Sequence, residues 1–367
     1  MNKFMGAMMA SAVMAMFGFV GQAVAEITVA SWGGAYTMSQ QKAYGDTFSD
    51  SPLIGGKVTF VNYNGGLGEV KTQVESGSIQ WDIVDVLPSD ARTGCDEGLF
   101  EELPRDVFAK APDGTPMDKD LYQTSLPNDC VVPQIWWSYM AFYKKGTFSG
   151  AQPNTIGDFF NVSKFPGKRG IHTWANALIE MALMADGVPN NNVYKVMSTS
   201  AGIDRAFAKL DTIKDHVVFW SSGSKPLELV TSGEVSMALA YNGRVGAAIL
   251  SEDAPFVPIW DGQILEEEWL VMVKGTPNYD EALRFLVHAS APAQQAGQAK
   301  WINYGPMRRS GMAILEANEP WFHNGKKIMP HMPNTSEHMK GGLYANPEWW
   351  ADNGASIAER FKAWQGK

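Results

Sequence analysis

The chain is 367 residues long, 45% hydrophobic and 11% aromatic, with a formal net charge of −9. A chain of that size and apolar content buries a large core and has room for two or three domains. Its negative balance argues against nucleic acid as a partner, because phosphate binding calls for a basic face.

Residues 1–25 read as a secretory signal peptide: Lys3 gives the positive start, Met5 to Val20 is apolar, and Ala23-Val24-Ala25 forms a small-residue cleavage site before Glu26. Cleavage after Ala25 leaves 29 basic against 39 acidic side chains, a balance of −10. No later run reaches the roughly 18 apolar residues needed to span a bilayer. The expectation is an exported, periplasmic protein. In that oxidising compartment the only two cysteines, Cys95 and Cys130, are expected to form a disulfide, the alternative being two buried thiols.

From Glu26 the chain opens with a strand, Ile27 to Ser31, then Trp32-Gly33-Gly34 and a helix-like stretch from Tyr36 towards Phe48. A strand at Lys57 to Val61 leads through Asn64-Gly65-Gly66 to helical spacing over Leu67 to Val74, and Trp81 to Val86 is a third strand. Apolar strands alternating with helices predict a mostly parallel sheet covered on both faces, an α/β fold. A proline-rich passage, Pro104 to Pro127, precedes the strongest apolar run of the mature chain, Val131 to Tyr143. It is too short for a bilayer and suits a strand crossing from one lobe to another.

The pattern then restarts. Thr155 and Asp158 make a capping-box-like helix start, and helices are predicted near Ala175 to Ala185, Ile203 to Ile213 and Pro226 to Thr231. Strands Val217 to Trp220 and Val235 to Ala240 complete a second α/β set. The run Phe256 to Trp260 and a strand Trp269 to Val273 lead back, followed by helices over Tyr279 to His288, Pro292 to Glu316 and Pro347 to Trp364. The reading is two lobes: 26–140 with 265–367, and 141–264. A cleft between lobes is a default ligand site, and hinge closure is a familiar way to trap a ligand.

The chemistry concentrates in two stretches. Ala240-Tyr241-Asn242-Gly243-Arg244 ends a strand and delivers a ring, an amide and a guanidinium at a strand-to-helix turn. Glu266-Glu267-Glu268-Trp269 delivers carboxylates beside another ring. Open α/β sheets present ligand groups at the carboxyl ends of their strands, so the pair points to a pocket for a small molecule carrying both charges. The bland readings are a surface arginine and a solvated acidic face; strand alternation places Glu266 with Glu268, leaving either to face the ligand. Trp32 follows the first strand, and Gly33-Gly34 lets backbone approach a ligand. Asp85 interrupts an apolar strand, either as a second cation partner or as a satisfied buried acid. Tyr304, before Gly305-Pro306, is a candidate wall, and Trp220 ends another strand.

Enzyme signatures are absent: the sequence has no G-x-S-x-G elbow, P-loop or H-E-x-x-H. The six histidines lack close metal-ligand spacing, although His331 and His338 fall near Met329, Met332 and Met339. No cofactor or metal is expected.

Trp81-Asp82-Ile83-Val84-Asp85, Gly94 to Phe100, Phe165 to Arg169, Ala240 to Arg244, Trp260-Asp261-Gly262-Gln263 and Tyr304-Gly305-Pro306 follow in an order and spacing that resembles the periplasmic solute-binding proteins of ABC importers, in the spermidine/putrescine-binding family. The resemblance spans nearly the whole mature chain. It implies a hinged two-lobe fold, no chemistry on the ligand, and a permease with its ATPase as partners of a monomeric receptor. In polyamine-binding members aromatic side chains box the methylenes while carboxylates hold the ammonium groups. Tyr241 stands where the family often has a tryptophan of the box, Glu268 at an ammonium-holding aspartate, and the resemblance favours Trp137 over Trp136 for the cleft.

Arg244 departs from that pattern, standing where polyamine binders carry another aspartate. A guanidinium there repels a diamine and pairs bidentately with a carboxylate. The phrase is similar to the branch that includes gamma-aminobutyrate binders, so the sharper expectation is a zwitterionic amine, with a polyamine as the alternative. A quaternary amine also suits an aromatic box, and a secreted enzyme on the same scaffold is the reading from another class.

Overall fold

The computed structural model describes residues 26–51, 55–122 and 124–366. The signal-peptide reading falls on residues outside that range. Ten strands form one sheet: β1 Glu26–Ser31, β2 Lys57–Asn62, β3 Ile83–Val86, β4 Val131–Lys144, β5 Arg169–His172, β6 Val217–Trp220, β7 Met237–Tyr241, β8 Phe256–Met272, and the two-residue β9 Gly305–Pro306 and β10 Leu343–Tyr344. The main order is β2-β1-β3-β8-β4-β7-β5-β6. Parallel trios occupy the two ends, β2-β1-β3 and β7-β5-β6, and the long antiparallel pair β8-β4 joins them.

The central strands are long because their sequences are apolar on both faces: β4 reads VVPQIWWSYMAFYK and is buried almost throughout. Pro133 has no N–H to give to the ladder, and the register with β8 shifts between Pro133 and Ile135. A second irregularity sets Tyr139 against Ile264 but Ala141 against Ile259. The intervening residues of β8 are Trp260 and the turn-like Asp261-Gly262-Gln263. The sequence analysis divided this region into two strands; it is one strand carrying a bulge. Gly262 has φ +76°, its N–H bonds the carbonyl of Gly341, Asp261 Oδ2 accepts from the Ile156 N–H at 2.9 Å, and Gln263 is buried.

Sequence analysis also missed β5, whose four residues RGIH include two polar ones. Arg169 is wholly buried yet satisfied, donating through its guanidinium to the carbonyls of Phe159, Phe165 and Gly167. Gly170 is needed beside β7, since a Cβ there would lie 2.9 Å from that of Ala238.

Helices cover both faces, and their starts follow local rules. Thr155 and Asp158 make the expected capping box, Thr199 caps Ser200–Asp211, and Asn346 caps Pro347–Gln365, which has proline in its first turn. One large hydrophobic cluster gathers Tyr139–Tyr143, the helices of 156–213 and strand β7. Two others unite residues of β1, β3 and β4 with Trp269–Val273 and the helix Tyr279–Ala289. The C-terminal helix joins the first: Trp350 Nε1 donates to Glu180 at 2.6 Å and Trp364 Nε1 to Asp211 at 2.7 Å. Among the described residues no helix is long and apolar enough to cross a membrane.

Cys95, in the helix Pro88–Asp96, is disulfide-bonded to Cys130 at the entry to β4, 35 residues later. Closing a loop of that length restricts the unfolded chain by about 3–4 kcal/mol. Replacing both cysteines with serine is therefore expected to lower the unfolding free energy by about that amount in urea titration; an unchanged midpoint would show that the bridge adds nothing to stability.

Candidate functional site

A cavity of about 750 Å³ opens where β1, β4, β5, β7 and β8 converge. Six of the sequence candidates line it: Trp32, Trp137, Tyr241, Arg244, Glu268 and Tyr304. Each is placed by a strand end or by strand alternation. Trp32 follows β1, and its ring lies 4.8 Å from that of Tyr63, which follows β2. Gly65 has φ +81°, and a Cβ on it would sit 2.7 Å from the Trp32 ring. Trp137 faces the cavity from β4 while its neighbour Trp136 is buried on the opposite face, as alternation requires.

On β8, Glu268 lies opposite Ile135, Glu266 opposite Trp137 and Glu267 opposite Trp136. Both Glu266 and Glu268 consequently face the cavity, and Glu267 turns away to Thr124 and the Trp269 indole. Glu268 accepts from Trp32 Nε1 at 2.7 Å. Burial raises the carboxyl of Glu266 to about 8, helped by the nearby negative charges of Glu180 and Glu267.

The wall formed by the helix Asn242–Glu252 is held by Asn242, whose Oδ1 accepts from the Ser138 N–H and whose Nδ2 donates to the Asn303 carbonyl, both at 2.7 Å. That clamp docks the helix start on β4 and on the segment before Tyr304. Gly243 is a packing requirement, because a Cβ there would come within 2.3 Å of the Tyr304 ring. Tyr241, the residue before the helix, sits 5.4 Å from Trp137 and 5.7 Å from Tyr139, ring to ring. Arg244, one turn in, extends between two glycines: a Cβ on Gly34 would lie 2.9 Å from its NH1, and one on Gly223 2.5 Å from its Nε. Among the described residues no acid lies within ion-pair distance of Arg244, and its buried Nε has no partner.

Two sequence candidates stand behind the wall. Asp85 is wholly buried on β3; its Oδ2 accepts from Gln40 Nε2 at 2.6 Å and from Gln134 Nε2 at 3.4 Å. Trp220 is 2% exposed and packs on His172, Tyr139 and Tyr241. Their strands end where expected, but neither side chain lines the cavity: Asp85 is held by Gln40, and Trp220 lies behind Tyr241.

Sequence reasoning overlooked His172, Trp174, Tyr36, Tyr63 and Tyr139, all of which line the cavity. His172 and Trp174 lie at the end of the missed strand β5. Burial lowers the His172 imidazole to about 4, so the ring is neutral at neutral pH, with Nδ1 accepting from the Trp174 N–H at 3.0 Å. Trp174, 47% exposed, forms the rim. Tyr63 ends a predicted strand, as Trp32 does, and its place at a carboxyl end was the available signal.

The arrangement offers an isolated guanidinium and two carboxyl groups around an aromatic chamber. Among the described residues no group of three or more His, Cys, Asp or Glu side chains is placed to hold a metal ion. Comparison with known proteins agrees with the geometry. Residues 44–328 match the model of a family described as bacterial extracellular solute-binding protein. The gamma-aminobutyric acid-binding protein of Pseudomonas aeruginosa is 35% identical over 341 residues, covering 93% of this chain and 91% of the relative. Among solved structures, an ABC transporter substrate-binding protein from Bradyrhizobium japonicum superposes with a TM-score of 0.80 at 30% identity, covering 93% of this chain and 99% of that one. A GABA receptor gives 0.77 at 29% identity, with 93% and 98% covered. The fold is the two-lobe architecture of these binding proteins, and the chain belongs to the bacterial extracellular solute-binding protein family.

Proposed function

We propose that this protein is the substrate-binding component of an ABC importer and captures a small ω-amino acid of the gamma-aminobutyrate type. The observation that carries the reading is the unpaired Arg244 guanidinium in a cavity that also holds Glu266 and Glu268. The ligand's carboxylate pairs with Arg244, its ammonium goes to Glu268 and Glu266, and its methylenes lie among Trp32, Trp137, Tyr241 and Tyr304. The fields of Arg244 and Glu268 both reach the hydroxyls of Tyr241 and Tyr304, which supports a short ligand between the two ends. The printed identities of the 35% identical relative and of the GABA receptor support the same ligand class. A diamine would set its second ammonium against Arg244, a like-charge contact costing several kcal/mol in a dry site.

In this reading the protein is exported to the periplasm, cleaved after Ala25, acts as a monomer without chemistry on its ligand, and docks on a permease driven by an ATPase. The lobes are 26–140 with 265–367 against 141–264, except that the helix Pro347–Gln365 goes with the second lobe, on whose core it packs.

Calorimetry on the protein spanning Glu26 to Lys367 tests this with gamma-aminobutyrate, 5-aminovalerate, putrescine, spermidine and glycine betaine. The two amino acids are expected to bind and the diamines to fail, with recovered ligand chemically unchanged. Arg244→Ala should weaken amino-acid binding by about 2–5 kcal/mol. Diamine binding that survives this substitution would instead make the protein a polyamine receptor.

Gly223→Ala provides a gentler probe, since its methyl would meet Arg244 Nε. It is expected to weaken amino acids by about tenfold through displacement of the guanidinium, roughly 1–2 kcal/mol of misfit. Unaltered affinity would separate Arg244 from the ligand.

A further inference from the structure

Behind the cavity wall lies a second carboxyl group with no cation to balance it. Asp85 on β3 pairs with Leu270 of antiparallel β8. Glu268, two residues along β8, is therefore its diagonal neighbour on the same face, within reach of a side-chain contact. Each carboxyl group therefore stands in the other's field, on adjacent strands and out of water. Neutral donors complete the surroundings: Gln40 and Gln134 on Asp85, and Trp32 on Glu268. Among the described residues Asp85 Oδ1 has no donor, and Asp85 is wholly buried with Glu268 4% exposed.

The other titratable groups facing the pair do not neutralise it. Tyr36 and Tyr44 come from the first helical segment, Tyr63 from the end of β2, and Tyr241 and Tyr304 from the cavity wall. Burial raises all five phenols, so they stay neutral. Glu266, on the same strand, is another acid and supplies no cation, and Arg244 acts from the far side of the cavity without forming an ion pair among the described residues. Two ionised carboxylates in contact, out of water and without a cation, carry a penalty that proton retention removes.

We propose that Asp85 and Glu268 form one carboxyl pair that keeps a proton in the place of a cation, and that a ligand's primary ammonium displaces this proton on binding. The inference rests on the reading that the ammonium goes to Glu268. The balance closes: the empty pair, with two carboxyl groups and one proton, carries −1; the occupied pair, two carboxylates and one ammonium, also carries −1, and the proton passes to solvent. The directions of titration agree, burial raising Asp85 to about 7 and Glu268 well above the ordinary carboxylate range, with Asp85 the next contributor. Asp85 then acts as a positioning residue through Glu268. The pair favours an amine with N–H groups to give over a quaternary ammonium, which has no donor for the two carboxylates once the proton has left.

Calorimetric titration with gamma-aminobutyrate near pH 7, repeated in phosphate, imidazole and Tris, reads the released proton from the dependence of heat on buffer ionisation. About one proton released per ligand is expected, with affinity rising about tenfold per pH unit across the neutral range. Glu266→Gln should leave the release in place even where it alters affinity, and Asp85→Asn, whose amide can donate to an ionised Glu268, should reduce it well below one. Binding without proton release overturns this inference alone. Release lost in Glu266→Gln, or undiminished in Asp85→Asn, assigns the proton elsewhere and overturns it too. Absence of binding by every amine overturns the proposed function and this inference with it; the wild-type and Glu266→Gln measurements decide the matter should Asp85→Asn fail to fold.

Discussion

The antiparallel pairing of β4 with β8 is the constraint on which the rest depends. These strands contribute to the cores at both ends of the sheet, and their alternation decides which side chains see the cavity. Trp137, Glu266 and Glu268 fall on one side; Trp136 and Glu267 fall on the other. A slip of one residue would turn the whole set inward and remove the acidic wall. The bulges at Pro133 and at Asp261–Gln263 fix the register locally, and the buried polar bonds of Gln263 and Asp261 make that register hard to lose.

Given that frame, the charges in the cavity are disposed against stability. Among the described residues Arg244 has no acid in ion-pair contact, Glu266 has no base, and Asp85 and Glu268 stand side by side. For Asp85 the folded-state pKa stands above the ordinary carboxylate value, so the folded protein holds a proton that the unfolded chain releases. Its favourable contribution is complete below the ordinary value and is lost as pH rises through about 7. Such an arrangement is tolerated at a site where a molecule carrying the missing charges binds, because the ligand then returns what burial has cost.

Much of this was legible in the residues. Strands β1, β2, β4 and β6 came from apolar runs, and the capping box at Thr155 from its spacing. Tyr241, Arg244 and Trp32 stood out because they follow strands, where an open sheet presents its ligand groups. What escaped has physical causes. Strand β5 contains Arg169 and His172, whose burial depends on carbonyls and rings contributed by distant segments. Losing β5 also lost His172 and Trp174 from the cavity wall. Asp261-Gly262-Gln263 carries turn chemistry that is spent on a bulge within a strand. Asp85 and Trp220 were correctly placed near strand ends, but which way a terminal side chain points depends on pairing register, which single-chain patterning leaves undetermined.

The cavity's shape is set as much by missing side chains as by present ones. Gly34 and Gly223 flank Arg244, Gly65 lies against Trp32, and Gly243 receives the Tyr304 ring. At each place the backbone comes so close that a Cβ would displace the group meant to meet the ligand. Arg244 is long and flexible by nature, and a free guanidinium on such a stem would give little geometric selectivity. Held between two backbone surfaces, it loses that freedom before a ligand arrives, and less ordering remains to oppose binding. The aromatic rings contribute in the same sense, since each is packed on at least one other ring of the wall. Under the proposed function, selectivity for ligand length follows from a fixed separation between the guanidinium and the carboxyl pair, with the rings supplying apolar cover for the methylenes in between.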